Sequence, residues 1–253
     1  MKTQVAIIGH GFVGKATERL LKTSKHVGRI HIQDIKYKKR ISPDEWDFIS
    51  YAFICVPTPL EHDVKVSSWE YEKNRFDMSH IKKAIKDIPK KVQIVIRSTV
   101  GPENLEPEWI HMPEFLREKH WEKDIDDKSI PIMIGCPYDE ELLDWFPDRT
   151  TLCLEPKEAA MYKLSRNAML AAKVTLVNYL YKACNAHNVD YENVKDMLKQ
   201  YADLGNSHWD VPGPDGKFGF GGTCFPKDTT HFASLTRGKN IFESILKVNE
   251  RTR

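Results

Sequence analysis

One short stretch of the chain, KFGFGGTCFPKDTTH from Lys217 to His231, brings together a thiol (Cys224), an ammonium (Lys227) and a carboxylate (Asp228). A thiolate is a far better nucleophile than a thiol, and a nearby cation or helix N-terminus lowers the pKa that governs its formation. Lys227 supplies the cation, and Phe225, Phe232, Ala233 and Leu235 have the spacing of an apolar helix face, so a helix is expected to begin at the cysteine. Gly219, Gly221 and Gly222, just upstream, are read as letting the backbone come close to a bound group. Taken alone, the same stretch also fits a small buried cysteine that only packs.

Two further pairs could do chemistry. Glu114 and Glu118 in PEFLRE stand four apart, on one face if that segment turns as a helix, which suits acid–base work or a solvated acidic face. Lys163 and Asn167 stand four apart within Lys157–Cys184, a run without glycine or proline. An ammonium and an amide side by side can stabilise an oxyanion as it forms; the same spacing fits a lysine that snorkels to water.

The elements that must position these groups begin at the N-terminus. An apolar run, Val5–Ile8, leads into Gly9-His10-Gly11-Phe12-Val13-Gly14 and then a helical pattern at Val13, Ala16, Thr17, Leu20 and Leu21. Strand, G-x-G-x-x-G turn and helix form the dinucleotide fingerprint: Gly9 for the tight turn, Gly11 for approach of the pyrophosphate, Gly14 for close helix packing. A second apolar run, Ile30–Ile35, carries Asp34 where the fingerprint places an acid for the ribose hydroxyls, which favours NAD over NADP. Lys36 and Lys38 weaken that preference slightly.

Further strands are expected at Tyr51–Val56, Val92–Ile96, Ile110–Met112, Ile130–Ile134 and Thr150–Leu154, with helices at Met78–Ile88 and Glu140–Phe146 and a polar surface loop over Glu61–Arg75. The strand ends carry Val56-Pro57-Thr58 and Ser98-Thr99, at the sheet edge where such folds hold ligands. The fold class is therefore α/β: a Rossmann-type, doubly wound, mostly parallel sheet, followed by an all-α domain with one long central helix. Residues 1–154 read as the NAD-binding domain and 155–253 as a helical central or dimerisation domain carrying the cysteine loop. The long helix would run about 42 Å. Its apolar residues cover more than one stripe, which makes it a core element and a candidate subunit interface. Val189–Tyr201 and Phe242–Val248 are shorter helix candidates.

Composition excludes several classes. Hydrophobic content of 41% and charged content of 29% describe an ordinary globular chain, and a net charge of +2 gives no argument for nucleic acid or a membrane surface. No apolar run approaches the ~18 residues of a membrane span, and the N-terminus has no signal-peptide pattern. Five cysteines, Cys55, Cys136, Cys153, Cys184 and Cys224, with no C-x-x-C pair, argue against a disulfide framework or a metal site and for a reducing, cytoplasmic setting. Four of them lie in apolar strand-like or helix-like context, and Cys224 does not.

VAIIGHGFVG, RSTVGPE, MPEFLRE, EAAMYKLSRNAMLAAK and GFGGTCFPKD, in this order, resemble the motifs of the UDP-glucose/GDP-mannose dehydrogenase family. The resemblance covers nearly the whole chain and implies a two-step, NAD-dependent oxidation of a sugar-nucleotide primary alcohol to a carboxylate, UDP-glucose to UDP-glucuronate above all. It implies Cys224 as nucleophile, Lys163 and Asn167 as oxyanion partners, and Asp228, Glu114, Glu118 and Thr99 as the remaining catalytic group. The cofactor is expected on Gly9, Gly11, Phe12, Val13, Gly14, Asp34, Val56, Pro57, Thr58, Ser98, Thr99, Glu118 and Lys227. The substrate, a UDP- or GDP-sugar, is expected on Glu114, Phe115, Leu116, Glu118, Lys163, Asn167, Phe218, Gly219, Phe220 and Gly221.

The departures from the family pattern are specific. Family members usually continue into a further α/β domain that holds the nucleotide, whereas this sequence stops at Asn249-Glu250-Arg251-Thr252-Arg253, so that a naturally short form, a fragment, or a separate chain supplying the missing half are the expectations. The family's arginine upstream of the glycine loop has no counterpart in Tyr201–Asn206. Gly101 and Met112 replace a family proline and asparagine, which leaves the sugar open. A homodimer is expected through the long helix. The competing reading is an NAD-binding dimerisation module without turnover. A 3-hydroxyacid dehydrogenase-type reading leaves GFGGTCFPKD unexplained.

Overall fold

The computed structural model describes residues 2–38, 40–61, 75–136, 140–235 and 240–253. Most of the loop expected over Glu61–Arg75 lies outside the described residues. The chain divides into two compact units, one of residues 1–59 and 76–163, the other of residues 60–75 and 164–253. The sequence reading placed the division after residue 154.

In the first unit β1 (Thr3–Ile8), β2 (Val27–Gln33), β3 (Ile49–Ile54), β4 (Gln93–Ile96), β5 (Ile110–His111), β6 (Ile132–Gly135) and β7 (Thr151–Leu154) form one sheet in the order β2-β1-β3-β4-β5-β6-β7. All neighbours are parallel except β5 and β6. The helices of this unit are α1 (Phe12–Thr23), α2 (Ser79–Ile85), α3 (Trp121–Asp126), the short α4 (Glu140–Leu143) and the start of α5 (Pro156–Ala186).

The central strands show why the sheet is doubly covered. Val5 and Ile7 of β1, with Tyr51 and Phe53 of β3, bury on one face with Leu20, Leu21 and Trp145. Their neighbours Ala6, Ile8, Ala52 and Ile54 bury on the other with Ile81 and Trp46. Strand side chains alternate faces, so a run apolar at every position requires a layer on each side. The strand order reverses between β1 and β3, and in open sheets of this kind the ligand crevice lies at the carboxyl ends of those strands.

The first two turns of α5 belong to this unit because they sit tightly against β6. Ala159 and Ala160 are fully buried, and a Cβ on Gly135 would lie 2.7 Å from Pro156 Cα and 3.0 Å from Ala159 Cβ.

Beneath the sheet end, His111 is fully buried, its Nδ1 bonded to the Ile96 carbonyl at 3.2 Å. Burial pushes its pKa down to about 3, and the charges of Arg97 and Lys163 act in the same direction. The unfolded chain takes up this proton near pH 6.5, the folded chain only near 3, so stability falls as pH falls through that window. The slope from this group is roughly 1.4 kcal/mol per pH unit. His111→Asn is therefore expected to flatten the stability profile between pH 6.5 and 4, measured by urea unfolding; an unchanged slope would rule the histidine out as its source.

The second unit holds the rest of α5 with α6 (Tyr191–Leu198), α7 (Phe225–Leu235) and α8 (Ile241–Thr252). The side chains of Asp190 and Asn240 cap α6 and α8 by accepting N–H groups of their first turns. Ala171 of α5, Phe220, Ala233 of α7 and Leu246 of α8 share one cluster. Val177, Cys184, Tyr191, Trp209 and Val211 share another. The 31 residues of α5 span about 46 Å. Leu164, Ala168 and Ala171 are fully buried, while Met169, Leu176 and Tyr179 are 66%, 69% and 52% exposed. No helix of the described residues is long and apolar enough to cross a membrane.

Candidate active site

In the first unit the three glycines of the fingerprint have three different surroundings. A Cβ on Gly14 would meet the Gly9 carbonyl oxygen at 2.1 Å, and one on Gly9, at φ +90°, would meet the Cys55 carbonyl oxygen at 2.8 Å. Gly11 has nothing within 4 Å of that position. Gly9 and Gly14 thus join strand to helix, while Gly11 leaves open the space before the first turn of α1, where Phe12 and Val13 start the helix. That cradle fits a pyrophosphate, because unpaired N–H groups and the helix dipole both favour an anion there.

Asp34 follows the end of β2 and accepts the N–H groups of His10 at 2.6 Å and Lys36 at 2.8 Å. Partial burial opposes its ionisation, yet N–H groups of His10, Lys36 and Tyr37 hold its pKa below the ordinary carboxylate value. Across the crevice the ends of β3 and β4 are tied by two hydroxyls. Thr58 donates to the Thr99 carbonyl at 2.6 Å and Ser98 to the Val56 carbonyl at 2.6 Å, with Pro57 exposed between them.

The sequence reading passed over Arg97. It is 4% exposed and donates to the Met112 carbonyl at 2.7 Å and to Thr17 Oγ1 at 3.2 Å, joining β4, the exit of β5 and α1 beneath the crevice. Burial lowers its pKa. An arginine at the end of an apolar strand was the only available hint. Burial likewise pushes the Cys55 thiol up to about 11; of the four cysteines in apolar context, Cys55, Cys136 and Cys184 are buried and Cys153 is exposed.

Glu114 and Glu118 do not share a helical face. Residues 112–117 form no helix or strand, and only at Glu118 does a short 3-10 turn, Glu118–His120, begin. Pro113 disfavours the helical region for Met112, and the Glu114 carboxylate closes its own turn by accepting the Leu116 N–H at 2.6 Å. Glu114 is buried and Glu118 exposed. The partner of Glu114 is instead Lys163 on α5, whose Nζ donates to the Glu114 carbonyl at 2.6 Å and lies 3.7 Å from its carboxylate and 5.4 Å from the Phe115 ring centre. Lys163 is only 3% exposed, so it does not snorkel.

In the second unit Asn167, 3% exposed, donates to Asp228 Oδ2 at 2.6 Å, and Lys227 donates to Asp228 Oδ1 at 2.7 Å. Asp228 is fully buried in the first turn of α7. The Cys224 carbonyl accepts the Asp228 N–H at 2.8 Å, which places Cys224 at the cap of α7 with its thiol half-buried. Pro226 is tolerated here because the first turn has no N–H bonds to lose. Lys227 holds its ammonium on Asp228, and the N-terminus of α7 is a further feature that favours a thiolate at Cys224.

The glycines before Cys224 do not all face a ligand. A Cβ on Gly219 would lie 2.3 Å from Asn249 Oδ1, and one on Gly221 would lie 2.3 Å from the Arg253 guanidinium. Gly222, at φ +77°, has open space. Phe220 is buried and Phe218 is 38% exposed, its ring tilted against Tyr181 with centroids 5.7 Å apart. Asn178 and Asn249, which the sequence reading did not single out, hold this loop; an asparagine in a helix carries no local mark of a distant partner.

Residues 157–251, from α5 to α8, match the central-domain model of the UDP-glucose/GDP-mannose dehydrogenase family. This segment is similar to that family's central domain. Its sequence is 25% identical over 243 residues to the UDP-glucose 6-dehydrogenase of Campylobacter jejuni, covering 88% of this chain and 58% of that protein. It is 26% identical to the UDP-glucose 6-dehydrogenase of Streptococcus pneumoniae, covering 98% of this chain and 73% of that one. The fold is that of the UDP-glucose dehydrogenase from Pyrobaculum islandicum, with a TM-score of 0.76 at 21% identity over all of this chain and 68% of that structure. The chain thus spans little more than half the length of the first of these relatives. The family match contains Lys163, Asn167, Cys224, Lys227, Asp228 and Asn249.

Proposed function

We propose that this chain carries the cofactor-binding and catalytic units of an NAD-dependent sugar-nucleotide dehydrogenase, which oxidises a primary alcohol to a carboxylate with UDP-glucose as the first candidate substrate. The observation that carries the reading is Cys224 at the cap of α7, two residues after the open face of Gly222. A plain alcohol dehydrogenase has no use for such a thiol, whereas a four-electron oxidation needs one to keep the aldehyde bound.

Bound NAD supplies the hydride acceptor for each of the two oxidations. Gly9, Gly11, Phe12, Val13 and Gly14 would hold its pyrophosphate and Asp34 its ribose, with Val56, Pro57, Thr58, Ser98 and Thr99 along the crevice and Glu118 and Lys227 as further contacts. Lys163 and Asn167 would stabilise negative charge on the sugar oxygen, a contribution of about 3 kcal/mol per donor where water is excluded. The Cys224 thiolate attacks the aldehyde carbon to give a thiohemiacetal, which becomes a thioester when hydride leaves that carbon. Water then attacks the acyl carbon, a base takes its proton, and the thiolate departs.

Glu114, Asp228 and Thr99 are the candidates for positioning or deprotonating this water. Asp228 is the poorer base, since both its oxygens hold donors within 2.7 Å, one of them an ammonium. Glu114 has one oxygen on the Leu116 N–H and the other 3.7 Å from Lys163, which favours it. For substrate contacts, Phe115, Leu116 and Phe218 remain alongside Glu114 and Glu118. Gly219, Phe220 and Gly221 are engaged by the protein's own side chains and support the loop.

The exposed Met169, Leu176 and Tyr179 lie along one side of α5 and favour a homodimer through that helix. A chain that contributes contacts to the nucleotide is the other partner this reading implies. Incubation with NAD and a panel of UDP- and GDP-sugars is expected to give two NADH for each sugar oxidised. One NADH with free aldehyde would remove the thiol from the mechanism, and NAD binding without turnover would favour the dimerisation-module reading.

A further inference from the structure

The glycine loop has no strand or helix ladder of its own, yet its backbone at Gly219 and Phe220 is buried. Buried N–H and C=O groups must find partners. Asn249 of α8 supplies two: its Oδ1 accepts the Phe220 N–H at 2.7 Å and its Nδ2 donates to the Phe220 carbonyl at 2.9 Å, as the edge of a neighbouring strand would. Asn178 of α5 accepts the Gly219 N–H at 3.0 Å while its own Nδ2 donates to the Val174 carbonyl at 2.8 Å. Asn249 and Asn178 are 8% and 3% exposed. Gly219 holds φ +72°, and the place of its missing Cβ is taken by Asn249 Oδ1, 2.3 Å away. This glycine is therefore matched to an asparagine on another helix rather than to a ligand.

We infer that Asn249 is a positioning residue for the reaction: its amide fixes the two peptides that flank Phe220, Gly219–Phe220 by its N–H and Phe220–Gly221 by its C=O, and through them sets where the open Gly222 backbone and the Cys224 thiol stand. The function so assigned rests on Cys224 being the nucleophile. Because the amide reads both the N–H and the C=O of Phe220, it sets the orientation of both flanking peptides; a carboxylate in its place would face the Phe220 carbonyl oxygen without a proton to donate. An apolar side chain would leave both groups unpaired.

The test uses Asn249→Asp and Asn249→Ala in the full chain with Cys153→Ser, which removes the exposed competing thiol. Peptide-resolved alkylation of Cys224 by iodoacetamide across pH, and hydrogen exchange at Phe220, are read beside turnover. Both variants are expected to melt cooperatively, to expose the Phe220 amide to faster exchange, and to shift the pH midpoint of Cys224 alkylation. With a sugar nucleotide, kcat is expected to fall about 100-fold, the scale of a misplacement of about 1 Å, while KM for NAD stays within about twofold. Should Asn249→Ala fail to fold, Asn178→Ser, which shortens the acceptor on Gly219, carries the same readouts. Unchanged exchange and alkylation in folded variants would overturn the inference. Absence of turnover in the unsubstituted chain would instead count against the dehydrogenase reading, with exchange and alkylation still deciding the clamp.

Discussion

Cys224→Ala is expected to yield a chain that folds, binds NAD and releases no sugar acid. The side chain is half-buried at the cap of α7, and the helix keeps its first bond because the Cys224 carbonyl, not the thiol, accepts the Asp228 N–H. Loss of a small polarisable group at that depth costs about 1 kcal/mol or less, within reach of a melting comparison. The chemical cost is far larger. In the proposed reaction, loss of the thiolate leaves no thiohemiacetal from which the second hydride can leave and no thioester for water to open. Acid formation is expected to fall at least about 10³-fold, while the first oxidation, which needs only the oxyanion donors and a base, persists in part. The product mixture decides the matter: aldehyde accumulating without acid supports the assignment, and acid formed at the unsubstituted rate removes Cys224 from the reaction.

The second large effect separates two glycines of one motif. Gly14→Ala would place its methyl 2.1 Å from the Gly9 carbonyl oxygen, backbone against backbone, where no side chain can swing aside. Helix α1 would have to lift from β1, whose Val5, Ile7 and the helix residues Ala16, Leu20 and Leu21 share one core. A cost of about 3 kcal/mol is expected, which lowers Tm by roughly 6–12 °C in a chain of this size. Gly11→Ala meets nothing within 4 Å. It is expected to leave Tm within about 2 °C while weakening NAD binding at least about tenfold, because in the proposed cofactor site the added methyl would stand in the path of the pyrophosphate. Thermal melting and NAD titration on the two variants give this crossed pattern. Equal loss of stability in both would mean that the open space at Gly11 has another use.

How much was legible beforehand differs from element to element. The run VAIIG and the fingerprint after it declare strand, turn and helix because the information is local: consecutive apolar residues for a strand covered on both faces, and glycines where backbone must approach backbone. The long α5 is local in the same sense, since a stretch without glycine or proline has no reason to stop. The start of α7 at Cys224 was also readable from the apolar spacing that follows it.

The partnerships were not local. Spacing put Glu118 beside Glu114, whereas the fold gives Glu114 to Lys163, forty-nine residues away, and it also sets the Lys227 ammonium on Asp228. Gly219 and Gly221 looked like openings for a ligand and are filled by Asn249 and Arg253, because a glycine records that space is needed but not what occupies it. The sequence by itself determined which chemical groups are present, which elements carry them, and where the backbone must be free to bend. Only the tertiary structure decided which charges neutralise one another and which glycines stay open, because those outcomes depend on distances between segments that share no local pattern.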